Sequence, residues 1–542
     1  MIGVDINIKN NKLLKMNLFN NGNKIIKRKS KDISFFLIGN IFENQELIIN
    51  DILYKIRKNK FRELADFNGE YFIFIKHKKK FIFINSRNSY IPIFYLFSNK
   101  KLYFKSNVLS FEKNYYQSLN YKKIIEWFLF NGRSFNNKTF LKKIFVLDPG
   151  QICIFHSNKL KLQNCKTFNF QKSNLSLNNS VEIIFENLRK AINLRIGYFK
   201  KKISFSLSGG LDSRILLSLI DEDKKRFIKT HTFGAKNNFE GMVAKKISKY
   251  LRFYHKFYEI KYSDYYKYAN HSVANGSFNS IFKNGVKIKY FKNIKNFDRS
   301  NFFMMGNALD VLIASSFSNK SLLKIKNLTS FLNWYKKKYI LFHPNEIKKI
   351  FKKNVLISNN HTDLTLKRFI KKITYNNNFV NLNDALTFET RIKRWHNFGL
   401  ALQSRISNFI IPTYDKYFLN SCSLIQSKYR IGNLFRKKLL KKINPDLLNI
   451  ITSNDLEKNR KNEARFFDSN LGLDIKKNLQ FTDLYNETKK KIINSNFKNF
   501  LNFDYIESII ISHKNGEKDN SRKIFMILTF MIILSQINNK NA

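Results

Sequence analysis

The sequence predicts an α/β chain, with a sheet-rich first part and a mostly parallel sheet in the second, and three observations carry that reading. Ile203 to Ile220, ISFSLSGGLDSRILLSLI, is a short apolar strand that breaks into Ser208-Gly209-Gly210-Leu211-Asp212-Ser213 and resumes as an apolar-periodic helix. After it, strand-like runs alternate with helical ones, the pattern of a parallel sheet. Before it, short aromatic and β-branched runs separated by turns indicate strands.

In the first 170 residues those runs are FFLIGNIF (35–42), EYFIFI (70–75), KFIFINS (80–86), PIFYLF (92–97), KLYFKS (101–106) and QICIFH (151–156). One helix, roughly Tyr121 to Phe130, interrupts them, and Asp148-Pro149-Gly150 is a turn signal before the last strand. Residues 171–190 read as a polar linker and then an amphipathic helix capped by Asn or Ser. This places a boundary there, with expected domains at 1–170 and 171–542. Beyond the 208–213 turn come FIKTHTFG (227–234), a helix from about Glu240 to Leu251, FYHKFYEI (253–260), and FFMMG (302–306), a candidate core strand ending near Asp310. From about residue 320 the chain reads mainly helical. Ile524 to Leu534 is interrupted only by Thr529 and falls short of the roughly 20 residues a membrane span needs, so a buried C-terminal helix is expected and a transmembrane segment is not.

A net charge of +59 would ordinarily point to nucleic acid or an anionic surface. Here the basic residues are scattered through every segment, alongside abundant Asn, Ile, Phe and Tyr and only five Pro, a bias of the kind AT-rich coding imposes. A solvated basic surface is the expectation, with nucleic acid not expected as a partner. Cys153, Cys165 and Cys422 lack the paired spacing of a disulfide framework or a zinc site, and Cys153 and Cys165 read as small buried residues. MIGVDINIKN has no apolar core of signal-peptide length, and a cytoplasmic location is expected. His255 and His396, among nine scattered histidines, are assigned no role.

The 208–213 turn is suited to a phosphate. Two adjacent glycines permit backbone angles closed to other residues and a close approach, and the start of a helix presents unpaired N–H groups and the positive end of its dipole. Ser208 and Ser213 add hydroxyl donors, and Asp212 places a carboxylate where it could share Mg2+ with phosphate oxygens. The string lacks the Gly-Lys-Ser/Thr of a Walker loop and the GxGxxG of a dinucleotide fold. SGGLDS resembles instead the pyrophosphate loop (PP-loop) of the ATP pyrophosphatases, which cut ATP between the α and β phosphates and adenylate a substrate.

Taken together, the two halves resemble the asparagine synthetase family over nearly the whole chain. FNGEYFIFI (67–75), INSRNSYIPIFYLF (84–97) and LDPGQ (147–151) are similar to segments of its glutaminase-type domain. SGGLDS, THTFG (230–234), MGNALD (305–310), IPTYD (411–415) and NLFRKKLLKKINPDL (433–447) resemble its synthetase landmarks in the same order. The resemblance implies an Ntn-hydrolase-like α+β sandwich followed by a Rossmann-like PP-loop domain with a helical C-terminal part. It further implies that Ser208, Gly209, Gly210, Asp212 and Ser213 hold the pyrophosphate of ATP with one Mg2+, that Asp310 is the second metal-binding carboxylate, that the backbone near Phe233 and Gly234 lies against adenine, and that Gly306 allows close approach of the adenylated substrate. In the basic cluster at 436–441, Lys437 resembles the residue that stabilises charge as the acyl-adenylate breaks down.

The implied activity is an ATP-dependent amide ligase releasing AMP and pyrophosphate, with a carboxylic acid and ammonia or an amine as small-molecule partners, and a homodimer as a possible assembly. Two departures stand out. Glutamine-hydrolysing members begin Met-Cys, whereas Met1-Ile2-Gly3 offers no nucleophile at position 2, so the first domain is expected to be an inactive scaffold. Asn307, Val311, Asn408 and Ile410 stand where the family often carries acidic or arginine residues, which leaves aspartate in doubt as substrate. Tyr414 and Asp415 either line the acceptor pocket or terminate a helix. Two other readings stay open, a PP-loop tRNA-modifying or other nucleic-acid enzyme and a non-catalytic relative.

Overall fold

From Gly3 to Asn164 the computed structural model, which describes residues 3–10, 12–19, 25–30, 32–43, 45–116, 118–165, 168–236, 238–261, 263–274, 281–298, 302–352, 361–404, 406–453, 455, 467–468, 473–474 and 480–541, forms two antiparallel sheets. Their strands are β1 (Gly3–Lys9), β2 (Lys12–Phe19), β3 (Ile25–Lys29), β4 (Ile33–Ile41), β5 (Gly69–His77), β6 (Lys80–Asn85), β7 (Phe94–Ser98), β8 (Lys101–Lys105), β9 (Phe145–Val146), β10 (Gln151–His156) and β11 (Lys159–Asn164). One sheet runs β2-β1-β8-β7-β9 and the other β11-β10-β6-β5-β4-β3.

The unbroken apolar run in β5 follows from burial on both faces. Phe72 and Phe74 enter the core between the sheets with Val4, Ile6, Phe104 and Cys153. Tyr71, Ile73 and Ile75, on alternate positions, meet Ile48, Ile52 and Ile56 of helix α1 (Gln45–Arg57) and Leu64 of the single-turn α2 (Phe61–Leu64). Sequence patterning does not anticipate β1, β2, β3, β9, β11 or α1. The charged residues of β2 and β11, KLLKMNLF and KLKLQN, mask strands that bury little. The strand after the 148–150 turn, β10, is consequently not the last; β11 pairs with it. Cys153 is buried as expected, whereas Cys165 at the end of the sheet is partly exposed.

The expected helix at 121–130 is α3 (Tyr121–Leu129). Phe168 and Phe170 anchor the connection to the second half in its core, and Ser176 caps α4 (Leu177–Phe199) by accepting from the Asn179 N–H at 3.1 Å. Then follow β12 (Ile203–Ser206), α5 (Leu211–Ser218), β13 (Ile228–Gly234), α6 (Phe239–Tyr250), β14 (His255–Glu259), β15 (Phe302–Met304) and β16 (Asn408–Ile410). All pairings among these strands are parallel, in the order β14-β13-β12-β15-β16. The chain first moves outward from β12 on one side, then returns to β15 on the other. Connections leaving β12 and β15 therefore diverge, opening a crevice at their carboxyl ends.

Residues after 320 are mainly helical, with the three-residue β16 as a strand the sequence does not announce. The helix Ser521–Asn541 contains the stretch Ser521–Asn539, which by length and composition could cross a membrane; 72% of it is buried inside the protein, against α3 and Phe351 among others.

A buried guanidinium ties the halves together. Arg195 of α4 is fully buried, donates to Asp415 Oδ2 at 2.8 Å and lies 3.4 Å from Glu70 Oε1 of β5, with its plane over Phe42 at 4.2 Å. Asn68 Nδ2 donates to the same Asp415 oxygen at 2.7 Å, and Asn88 Nδ2 to the Tyr414 carbonyl at 3.0 Å. Burial, opposed by Arg195, pushes the Glu70 carboxyl up to about 7. Replacing Arg195 by Met should cost about 3–5 kcal/mol in chemical denaturation, because two buried carboxylates lose their shared cation; a loss below about 1 kcal/mol, the worth of an exposed pair, would contradict this role.

Candidate functional site

The 208–213 turn lies where β12 ends and α5 begins, at the crevice of the parallel sheet. Its hydroxyls organise the turn itself. Ser213 Oγ donates to the Ser208 carbonyl at 2.9 Å, accepts from the Ser208 N–H at 3.2 Å, and lies 3.0 Å from Ser208 Oγ, which in turn accepts from the Gly210 N–H at 3.2 Å. Arg214, fully buried, holds the turn to a distant segment: it donates to the carbonyls of Gly209 at 3.1 Å, Leu447 at 2.7 Å and Ile451 at 3.1 Å.

The two glycines serve space rather than unusual backbone angles, which corrects the sequence-based expectation. Neither has a positive φ, and Gly210 caps α5 in extended conformation. A Cβ on Gly209 would stand 2.7 Å from Ser453 Cβ and 3.1 Å from Val243 Cβ. At Gly306 a Cβ would meet Leu216 Cδ1 of α5 at 2.2 Å, so this glycine also leaves room for the helix carrying the turn. The strained position in MGNALD is Ala308, at φ 71° and ψ −2°, immediately before the short helix Leu309–Leu312 that carries Asp310.

Asp212 and Asp310, after β12 and β15, lie close enough for their charges to interact. Burial first, and then the Asp212 charge, raise the Asp310 carboxyl to about 6 against the opposing pull of Arg391 and Arg436. Arg436 Nη1 donates to Asp212 Oδ1 at 2.9 Å. Lys437, the next residue on the helix Leu434–Ile443, is exposed and makes no ion pair or hydrogen bond among the described residues. Successive helical positions diverge by about 100°, so only one of the two basic side chains can point at Asp212. No sequence signal separates Arg436 from its basic neighbours, and Arg391 lies in no motif. It is presented by a π-helical stretch, Phe388–His396, inserted between the helices Phe379–Thr387 and Asn397–Gln403, a local widening that often occurs at functional sites.

Phe233 and Gly234 end β13, next to β12, and Phe233 packs at a tilt against Tyr290 with ring centroids 4.2 Å apart. Tyr414 and Asp415 are structural. Asp415 caps the helix Lys416–Cys422 in addition to binding Arg195, and the buried Tyr414 hydroxyl donates to Asn397 Oδ1 at 2.6 Å and accepts from Asn307 Nδ2 at 2.7 Å. Asn307 is thereby held against the floor of the crevice. His255, its ring pushed down to about 4 by burial and then Lys245, lies 3.0 Å from Thr230 Oγ1 at the opposite end of the strands. His396 meets Trp395 edge-on, with ring centroids 4.8 Å apart.

Among the described residues no three His, Cys, Asp or Glu side chains gather as a metal site. Asp212 and Asp310 do suit a divalent ion that takes its remaining oxygens from phosphate and water, because their mutual repulsion is what such an ion relieves.

A carboxyl with a raised folded-state pKa adds stability below its ordinary pKa and loses that contribution as pH rises through about 6. Asp310→Asn should therefore raise the thermal midpoint at pH 7.5, with the gain fading below pH ~4; an unchanged or lowered midpoint at pH 7.5 contradicts the electrostatic assignment. Gly306→Ala should cost about 1–3 kcal/mol through overpacking, and Leu216→Val should recover part of that loss in the double variant.

Comparison with known proteins bears on one part of this arrangement. Residues 184–276, which span most of α4, the 208–213 turn, β13, α6 and β14, match the asparagine synthase family model. A search of curated proteins returned no match. Similar solved structures include the allosteric regulatory enzyme of purine biosynthesis, 10% identical over 47% of this chain and 74% of that one, with a TM-score of 0.21. They also include the glutamine phosphoribosylpyrophosphate amidotransferase of B. subtilis, 9% identical over the same shares at 0.20. The U34-tRNA thiolase NcsA of Methanococcus maripaludis, with its 4Fe-4S cluster, is 13% identical over 58% of this chain and 92% of that one, at 0.20. TM-scores this low support no conclusion about fold or chemistry. The family match covers the β12 side of the crevice with the 208–213 turn, and over those residues the chain is similar to the asparagine synthase family.

Proposed function

We propose that the chain is an ATP-dependent amide ligase that activates a carboxylic acid as its adenylate, releases pyrophosphate, and passes the acyl group to ammonia or an amine. The observation that carries this reading is the charge coupling of Asp212 with Asp310 at the diverging ends of β12 and β15; Asp212 and β12 lie inside the segment that matches the asparagine synthase family, and Asp310 and β15 lie beyond it.

A carboxylate oxygen is a poor leaving group, and adenylation makes it a good one. The 208–213 turn and the first turn of α5 offer backbone donors to a pyrophosphate, where negative charge grows as the bond to the α phosphate breaks. Mg2+ held by Asp212 and Asp310 would supply Lewis-acid stabilisation of those phosphates. Arg436 keeps Asp212 oriented and brings a cation to the same place. Lys437, exposed on the same helix, would need a change of side-chain direction to reach the crevice, so Arg436 is the better-placed cation in this reading.

The first half serves as a scaffold without glutaminase chemistry. Asn68, Glu70 and Asn88, from the segments that resemble a glutaminase domain, are engaged with Arg195, Asp415 and Tyr414 of the second half.

The test is pyrophosphate release from ATP and Mg2+ with a panel of carboxylic acids, using ammonium or glutamine as nitrogen source. Release should require an acid, fall at least ~100-fold in Asp212→Ala and Asp310→Ala, and proceed with ammonium but not glutamine. Acid-independent release, or release that survives both substitutions, would sink the ligase reading.

A further inference from the structure

Near Asp310 three cations, Arg391, Lys338 and Arg133, gather, and among the described residues none of them forms an ion pair with a carboxylate. Arg391 lies over the Phe317 ring at 4.5 Å and the Trp395 ring at 5.1 Å, and among the described residues its guanidinium makes no hydrogen bond or ion pair. Lys338 Nζ donates to the Phe317 carbonyl at 2.7 Å, and Tyr339 Oη donates to the same oxygen at 2.8 Å. Arg133, buried and contributed by the first half, stacks on the Tyr339 ring at 3.9 Å. The aromatic and carbonyl contacts hold the three heads in place without cancelling their charge.

That charge is costly. Burial and then Arg133 bring the Arg391 guanidinium down to about 10, and burial and then Arg133 lower Lys338 as well. The nearby buried carboxylate, Asp384, is committed elsewhere: it takes Arg430 Nη1 at 2.7 Å, Ser318 Oγ at 2.8 Å and Ser315. Asp310 is coupled to Asp212. A cationic group retained at this cost in a crevice is matched when an anion arrives, and the unbonded guanidinium is a fork suited to a carboxylate.

Resting on the ligase reading above, we propose that the acid activated here carries a second anionic group, held by Arg391 with Arg133 and Lys338, and has no ammonium beside that group. A dicarboxylic acid or an N-acylated amino dicarboxylic acid fits. Free aspartate, whose α-ammonium would enter the same cationic cluster, fits poorly.

The test titrates the full chain, saturated with Mg2+ and a non-hydrolysable ATP analogue, with glutarate, N-acetylaspartate, aspartate and butyrate, by calorimetry and by the fluorescence of Trp395. Glutarate and N-acetylaspartate should bind at least ~10-fold more tightly than butyrate or aspartate. Arg391→Gln should erase that preference, and Arg391→Lys should keep part of it, while both variants still bind the analogue. Indistinguishable titrations for the four acids, including no binding by any, or a preference intact in Arg391→Gln, overturns the proposal. Pyrophosphate exchange in the same samples reports separately on the ligase reading. An Arg391-dependent preference without Asp212-dependent exchange keeps the anion site and removes the ligase, whereas exchange served equally by monocarboxylates removes the anion site alone.

Discussion

Arg195 leaves the middle of α4 with no access to water and meets carboxylates from β5 and from the segment after β16, more than two hundred residues apart in sequence. A buried guanidinium is tolerated when its charge is met by partner carboxylates, and Arg195 is so held although its Nε has no hydrogen-bond partner among the described residues. Here the donors reach Asp415 and Glu70, and the plane rests on Phe42. The consequence extends to the crevice, because Asp415 and Tyr414 are neighbours. Asn88 holds the Tyr414 carbonyl from the first half, and the Tyr414 hydroxyl reaches Asn307 beside Gly306. A chain of buried polar contacts thus runs from the antiparallel sheets to the loop that carries Asp310.

The crevice itself is arranged around repulsion. Asp212 and Asp310 interact through their charges, and Arg391 has Arg133 for a neighbour. Each like-charge pair is unfavourable in the protein alone and would be relieved by a ligand of opposite sign, as proposed above. The strained Ala308 backbone and the π-helical turn at 388–396 lie at the same place. Both are local departures from regular geometry that the surrounding packing must sustain. Gly209 and Gly306 show how tight that packing is, since α5 and the segment ending at Ser453 occupy the positions their side chains would take.

Much of the fold was legible because burial leaves a trace in local pattern. The double-sided apolar run of β5, the strand-turn-helix at 203–220 and the alternation from 227 to 260 each correspond to elements observed within a few residues of their expected bounds. The elements that were not legible are those whose pattern is weak. β2 and β11 expose much of their length, β9 is two residues long, and β16 is three residues in a helical region. Lys437 illustrates the same limit at the site. A basic cluster announces that cations stand on the helix Leu434–Ile443, but the helix phase, set by burial of Phe435, Leu439 and Leu440, turns Arg436 toward Asp212.

By itself the sequence determined the parallel-sheet half and the turn at the end of β12, because each is encoded in a contiguous stretch whose periodicity and turn chemistry need no distant partner, whereas Asp310 was singled out by family resemblance alone. Only the tertiary structure decided how closely the glycines are packed, which cation meets Asp212, and that Arg391 stands near Arg133 with no ion pair among the described residues. Those are properties of side chains brought together from segments hundreds of residues apart, and in a chain with 98 lysines and arginines no local pattern distinguishes the few that folding buries.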